Sequence, residues 1–255
     1  MFFSNSTFLG IDPTAGHKPF TYAALDSHLR LLALGHGSLE EVLAFTAGQN
    51  QALAAVCAPR RPNQHLMQRP AVRETLSLPP KPGRWGNFRL SEYQLRQHHI
   101  STYKTPATEQ ECPTWMQMGF SLYHRLESLG YQSYPADKGS LQWLEVYPHA
   151  CFCVLLGQAP LPKNTIEGRI QRQLALYQEK LEIPDPMRLF EEITRHRLLQ
   201  GILPLDHLYT QGELDALVAA YTAWLAATHP ERTTRLGDPE ESLVILPAAE
   251  LKRVY

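Results

Sequence analysis

Thr7-Phe8-Leu9-Gly10-Ile11-Asp12-Pro13 is the stretch on which the fold turns. An apolar run that ends in one carboxylate and breaks at a proline has the form of a buried strand presenting an acid at its carboxyl end. An Asp ahead of a turn is also ordinary turn chemistry. The rest of the chain gives this one its weight, because Glu145 and Asp215 stand at the ends of two further expected elements. The three acids are expected to fold back onto one point.

Outward from that strand, Phe20 to Leu25 reads as a second strand and Leu29 to Leu34 as a third. The intervals between them are too short for helical crossovers, so the chain is expected to open as an antiparallel meander. Ser38, with Glu41 three residues on, forms a capping box that starts a helix. Ala52 to Ala58, closed by Pro59, reads as a strand buried on both faces in a central parallel position. Six prolines between Pro59 and Gly86 then dissolve the pattern. A loop this long is expected to be functional or mobile, and it begins at the sheet end where Asp12 emerges. Helices are expected over Leu90 to His98, Thr114 to Leu126, His149 to Leu156, Ile166 to Leu181 and Pro186 to Gln200. The aromatic and methionine stripe of the Thr114 helix reads as core. Leu141 to Pro148 is a fifth strand that also delivers an acid, Glu145, near a breaking proline. In the helix from Glu213 to Ala223, Ala216, Ala219, Ala220 and Ala223 make a face that can lie close against a sheet, with Asp215 beside it in the first turn. Leu243 to Pro247 is a late strand or packed tail.

The 255 residues, 44% hydrophobic and 19% charged, suffice for one good core and are read as a single domain, 1–255. The longest apolar runs fall far short of the ~20 residues of a membrane span. Met1 to Ser6 does not read as a secretory signal. Cys57, Cys112, Cys151 and Cys153 read as buried free thiols in a reducing cytosol, and Cys151 and Cys153 are wrongly spaced to share a helix face as a metal pair. A cytoplasmic protein with no membrane partner is expected.

The net charge of −1 carries no overall bias towards nucleic acid. Its distribution does: from Arg60 to Lys104 nine basic residues against two acids give +7, leaving −8 for the remainder. This basic, Pro-rich insertion at about 59–104 is either a footprint for phosphate or a solvated basic loop.

Three hard carboxylates in one pocket suit Mg²⁺ or Mn²⁺. Two such ions can clamp the attacking and leaving oxygens of a phosphodiester. Asp12, Glu145 and Asp215 are therefore the expected catalytic residues and metal ligands. Arg60, Arg61, Lys163, Arg169 and Arg172 are the expected phosphate contacts.

The chain resembles the domain-of-unknown-function 429 family, commonly described as predicted nucleases with a ribonuclease H-like fold. The resemblance rests on Leu9-Gly10-Ile11-Asp12, Trp115-Met116 with Gly119, and Leu144-Glu145-Val146-Tyr147-Pro148. It continues through Lys163, Gly168, Arg169, Leu214 to Ala220, and the segment from Gly237 to Pro247. It implies an α/β fold with a five-stranded mixed sheet of order 3-2-1-4-5 flanked by helices. It also implies a metal-dependent nuclease acting on DNA or RNA. One departure stands out: members usually carry an Asp at the end of the fourth strand, in an Ile-Asp-Ala-Pro pattern, where this chain has Val56-Cys57-Ala58-Pro59. A thiol matches Mg²⁺ poorly, so the alternative is a non-catalytic nucleic-acid-binding protein on a degenerate version of the fold. A phosphotransferase on the same core ranks lower, because no Gly follows Asp12 closely and no second Gly-rich phosphate loop appears.

Overall fold

The computed structural model describes residues 6–14, 16–76, 85–137 and 139–255. Met1 to Asn5, and with them most of the N-terminal stretch read for a signal, lie outside the described residues, as do Pro79, Pro80, Lys81, Pro82 and Arg84 of the basic segment.

The chain opens with β1 (Thr7–Pro13), β2 (Phe20–Leu25) and β3 (Leu31–Gly37), the antiparallel meander that the short intervals require. Next comes α1 (Leu39–Ala47), capped by Ser38 and Glu41 in the expected reciprocal box. It returns the chain to β4 (Ala52–Val56), which lies parallel to β1. The insertion holds α2 (Pro70–Glu74) and α3 (Leu90–Gln97). Then follow α4 (Thr114–Ser128), the short β5 (Gln132–Ser133), β6 (Leu141–Val146), α5 (Pro148–Leu156) and α6 (Ile166–Gln178). The helix expected from Pro186 to Gln200 is instead two short pieces, α7 (Arg188–Glu192) and α8 (Arg195–Leu199). The break falls at Ile193 and Thr194, both extended, where the Thr194 hydroxyl caps the second piece. The long α9 (Gln211–Thr228) and the hairpin of β7 (Thr234–Asp238) and β8 (Ser242–Leu246) complete the fold.

Among the described residues the sheet has eight strands rather than five, in the order β3-β2-β1-β4-β6-β8-β7, with β5 paired beside β6. The expected order 3-2-1-4-5 is present as its first five positions, the fifth strand being β6. The closing hairpin extends it, because β8 pairs parallel with β6 at Glu145 and Val146.

Strand alternation feeds two cores. Phe8, Leu53, Ala55, Leu144 and Val146 join one core with α5, α6 and α9. Leu9, Ile11, Ala54, Val56 and Trp143 join the other with α1 and α4. Side chains along a strand alternate between faces, and partners in a parallel register share a face. Gly10 stands on the α9 face, and a Cβ there would lie 1.9 Å from the Ala216 carbonyl oxygen and 2.5 Å from the Ala220 nitrogen. Its absence lets α9 rest on the β1 backbone through the small face read from the sequence.

The described residues of the insertion are packed rather than hanging free. Met67, Leu76, Leu90 and Tyr93, with Trp85 and Phe88, form a small core of their own. The α3 helix docks on β7, where Gln94 accepts a hydrogen bond from the Gly237 nitrogen at 2.6 Å. Among the described residues no helix is long and apolar enough to cross a membrane, and the four cysteines are free and buried.

Candidate active site

Asp12 follows Phe8 and Gly10 on the α9 face of β1, so it reaches the start of that helix. Thr210 caps α9 and Glu213 completes its box, which sets the helix start two residues earlier than expected and moves Asp215 into the second turn. The carboxylate is thus too far along to be explained as a first-turn complement to the helix dipole. Gln211 donates to Asp215 Oδ1 at 2.7 Å. Gly212 brings the helix so close that a Cβ there would lie 3.7 Å from Asp12 Oδ2.

Asp12 and Asp215 line a cavity of about 390 Å³ together with Cys57, Lys163 and Arg172. Burial raises the Asp12 carboxyl well above the usual range, repulsion from Asp215 raises it further, and Lys163 offsets part of this. Burial likewise pushes Asp215 up to about 6, against the Gln211 hydrogen bond and the charges of Lys163 and Arg172. His149, also in the cavity wall, is held below its ordinary value by burial and by Arg172 and Lys163, so it is neutral at pH 7. Cys57 remains a thiol: burial and the two aspartates raise it, and its S–H donates to the Asp215 carbonyl at 3.6 Å. It is neither a nucleophile nor an ionic ligand in this state.

Glu145 does not join them. In the parallel register Ile11 pairs with Val56 and Val56 with Glu145. That row faces α1 and α4, the side of the sheet opposite to Asp12. There Arg89 meets Glu145 through two hydrogen bonds, at 2.6 and 3.0 Å, and both side chains are 1% exposed. The Arg60 backbone N–H adds a third bond to Glu145 at 3.1 Å. Burial works against the Arg89 charge, yet Glu145 holds the guanidinium above its usual range. The expected convergence of three acids is therefore corrected to two. Among the described residues no group of three or more His, Cys, Asp and Glu side chains is placed to hold a metal ion.

The expected phosphate contacts divide in the same way. Lys163 and Arg172 line the cavity. Arg172 is 3% exposed, anchored by Nη1 on the Leu161 and Gly168 carbonyls at 2.9 and 2.8 Å. Arg169 instead ties α6 to the segment before α9, donating to the Tyr209 and Leu208 carbonyls at 2.7 Å each. Arg60 pairs with Glu127 at 2.7 Å and lies over the Trp143 ring. Arg61 is half-buried and does not line the cavity. The basic segment is answered in part by acids from elsewhere: besides Arg60 and Arg89, Arg69 grips Glu240 at 2.7 and 2.6 Å. Among the described residues, three of its nine basic side chains, Arg60, Arg69 and Arg89, are thus engaged in ion pairs between insertion and body.

The sequence reading did not assign Tyr103, Trp115, Tyr147 or His149 to the site, yet all four line the cavity. For Tyr147 and His149 a signal existed in the Pro148 that starts α5 directly after β6. For Tyr103 and Arg89 there was none, because both positions depend on the path of the insertion.

A family model described as "Protein of unknown function (DUF429)" matches residues 10–242. The chain belongs to the DUF429 family. The match begins at Gly10, which seats α9 on β1, and it spans Asp12, Glu145, Lys163, Arg172 and Asp215 of this DUF429 protein. No curated protein and no solved structure matches it.

Proposed function

We propose that this DUF429 protein hydrolyses nucleic-acid phosphodiesters at the Asp12–Asp215 cavity, on a ribonuclease H-like core. The observation that carries the reading is the pairing of Asp12 and Asp215. Two carboxylates from opposite ends of the chain meet in one cavity, with no arginine ion pair to either among the described residues and with Lys163 and Arg172 beside them. The order and directions of the first five sheet positions support the core assignment.

The donor set fits one divalent ion. Asp12 and Asp215 would hold a single Mg²⁺ or Mn²⁺, while Glu145, engaged by Arg89 on the other face, does not fit as a third ligand. Such an ion, when bound, supplies charge neutralisation and a more acidic water. Lys163 and Arg172 place positive charge where a phosphate would enter, as charge-assisted donors.

Cys57 supports a second reading, nucleic-acid binding without cleavage, because a neutral thiol stands in the cavity where the resemblance implies an aspartate. Calorimetric titration of Mn²⁺ into wild type and Asp12→Asn, followed by a cleavage screen on DNA and RNA, tests the first reading. Binding and cleavage that both vanish in Asp12→Asn are expected. Metal-independent, salt-sensitive binding with no cleavage selects the second.

A further inference from the structure

Three aromatic rings share the cavity with the aspartates, and the proposed chemistry uses none of them. Tyr103 comes from the loop that ends the insertion, Trp115 from the first turn of α4, and Tyr147 from the β6–α5 junction. Tyr103 is the hub: its centroid lies 5.1 Å from Trp115 and 5.0 Å from Tyr147, with planes at 71° and 78°. Such edge-to-face contacts fix ring orientation. The Tyr147 hydroxyl is pinned to the Ser101 carbonyl at 3.1 Å.

The same cavity is lined by the charged groups Asp12, Asp215, Lys163 and Arg172 and by the three rings, within a space at the small end of ligand sites, ~300–1,000 Å³. A nucleotide has a matching combination, a charged phosphate joined to a flat π-face. Stacking on aromatic side chains tolerates any base, whereas a duplex keeps its bases stacked and paired.

We infer that Tyr103, Trp115 and Tyr147 form a subsite for one unstacked nucleobase, so that the site selects single-stranded nucleic acid over duplex. The inference rests on the nucleic-acid reading of the cavity and goes beyond it to the class of substrate.

The test is fluorescence anisotropy with the full wild-type chain and a labelled 5′-phosphorylated oligothymidylate, its duplex with oligoadenylate, and an abasic strand of the same length. Each is measured once with EDTA and once with Mn²⁺. The single strand is expected to bind about tenfold or more tightly than the duplex or the abasic strand. Trp115→Ala and Tyr103→Leu are expected to weaken it about tenfold each, while Trp115→Phe and Tyr103→Phe keep most of the affinity. The salt dependence should stay unchanged in the aromatic variants and flatten in Lys163→Ala. Abasic and intact strands binding within twofold of each other would overturn the subsite, with no variant needed and whatever the outcome of the cleavage screen. Base-dependent binding with no cleavage would leave the subsite standing and the nuclease reading refuted. Cleavage with equal affinity for the abasic strand would do the reverse.

Discussion

Asp12 and Glu145 stand near the carboxyl ends of two strands separated by one in the parallel part of the sheet, and the protein uses them in opposite ways. Asp12 looks towards α9, meets Asp215 and lines a cavity, with no arginine ion pair to its carboxylate among the described residues. Glu145 looks towards α4, is 1% exposed and is closed off by Arg89. One residue of strand parity separates a group that lines a cavity from a group that fastens an insertion to the body. The difference teaches that an acid at a strand end becomes a candidate site when its face of the sheet leaves a cavity and no arginine locks its carboxylate in a bidentate pair. Where an arginine fills the space, the same acid is an anchor. Perturbed carboxyls in a cleft mark candidates for chemistry, and a buried bidentate pair marks structure.

The most severe way to break the contrast is Arg89→Met. It leaves Glu145 buried without a cation, and loss of one partner of a buried pair costs about 3–5 kcal/mol. Urea or thermal unfolding should show that loss, and the double substitution Arg89→Met with Glu145→Leu should recover most of it. A loss below ~1 kcal/mol would place Glu145 in the same class as Asp12.

The second prediction uses pH, without divalent ions. The folded value of Asp215, about 6, lies above its ordinary 3.8. The folded state therefore holds the proton more tightly than the unfolded state between those values. The associated stability is fully present below the lower value and is lost as pH rises through the upper one. Burial also pushes Glu92 up to about 6, so it acts in the same window. The difference between the wild-type and Asp215→Asn unfolding curves isolates the aspartate pair, because Asp215 also raises Asp12. Parallel curves from pH 4 to pH 7 would remove the strain assigned to the aspartate pair.

Cys57→Asp sharpens the contrast from the other side by adding a carboxylate to the cavity. Mn²⁺ affinity by calorimetry should rise roughly tenfold, since ligand charge sets affinity at such sites. The metal-free melting temperature should fall, because a third acid joins two that already repel. Arg60→Ala is the mildest change. Its partly exposed pair with Glu127 should contribute under ~1 kcal/mol to unfolding, and single-strand affinity should be unaltered because Arg60 lies outside the cavity.

The sequence by itself determined the periodic elements. The apolar run into Asp12, the Ser38–Glu41 box, the doubly buried β4 and the small face of α9 are local patterns whose physics needs only neighbours in the chain. The capping pair Thr210 and Glu213 was equally legible and would have set the start of α9 correctly. The meeting of Asp12 with Asp215 was foreseeable once β1 and α9 were known to pack. Tertiary structure decided the rest. The closing hairpin joined the sheet through two registered pairs that no local pattern announces. The insertion, read as either a phosphate footprint or a solvated basic loop, is fastened to the body where Arg60, Arg89 and Arg69 find Glu127, Glu145 and Glu240, residues far away along the chain. The same fold placed Tyr103 against Trp115 and Tyr147. Ion pairs and ring contacts between distant segments depend on which faces the folded chain brings together, and a one-residue step along a strand reverses the face. That step separates Glu145 from Asp12, and only the register of the assembled sheet sets it.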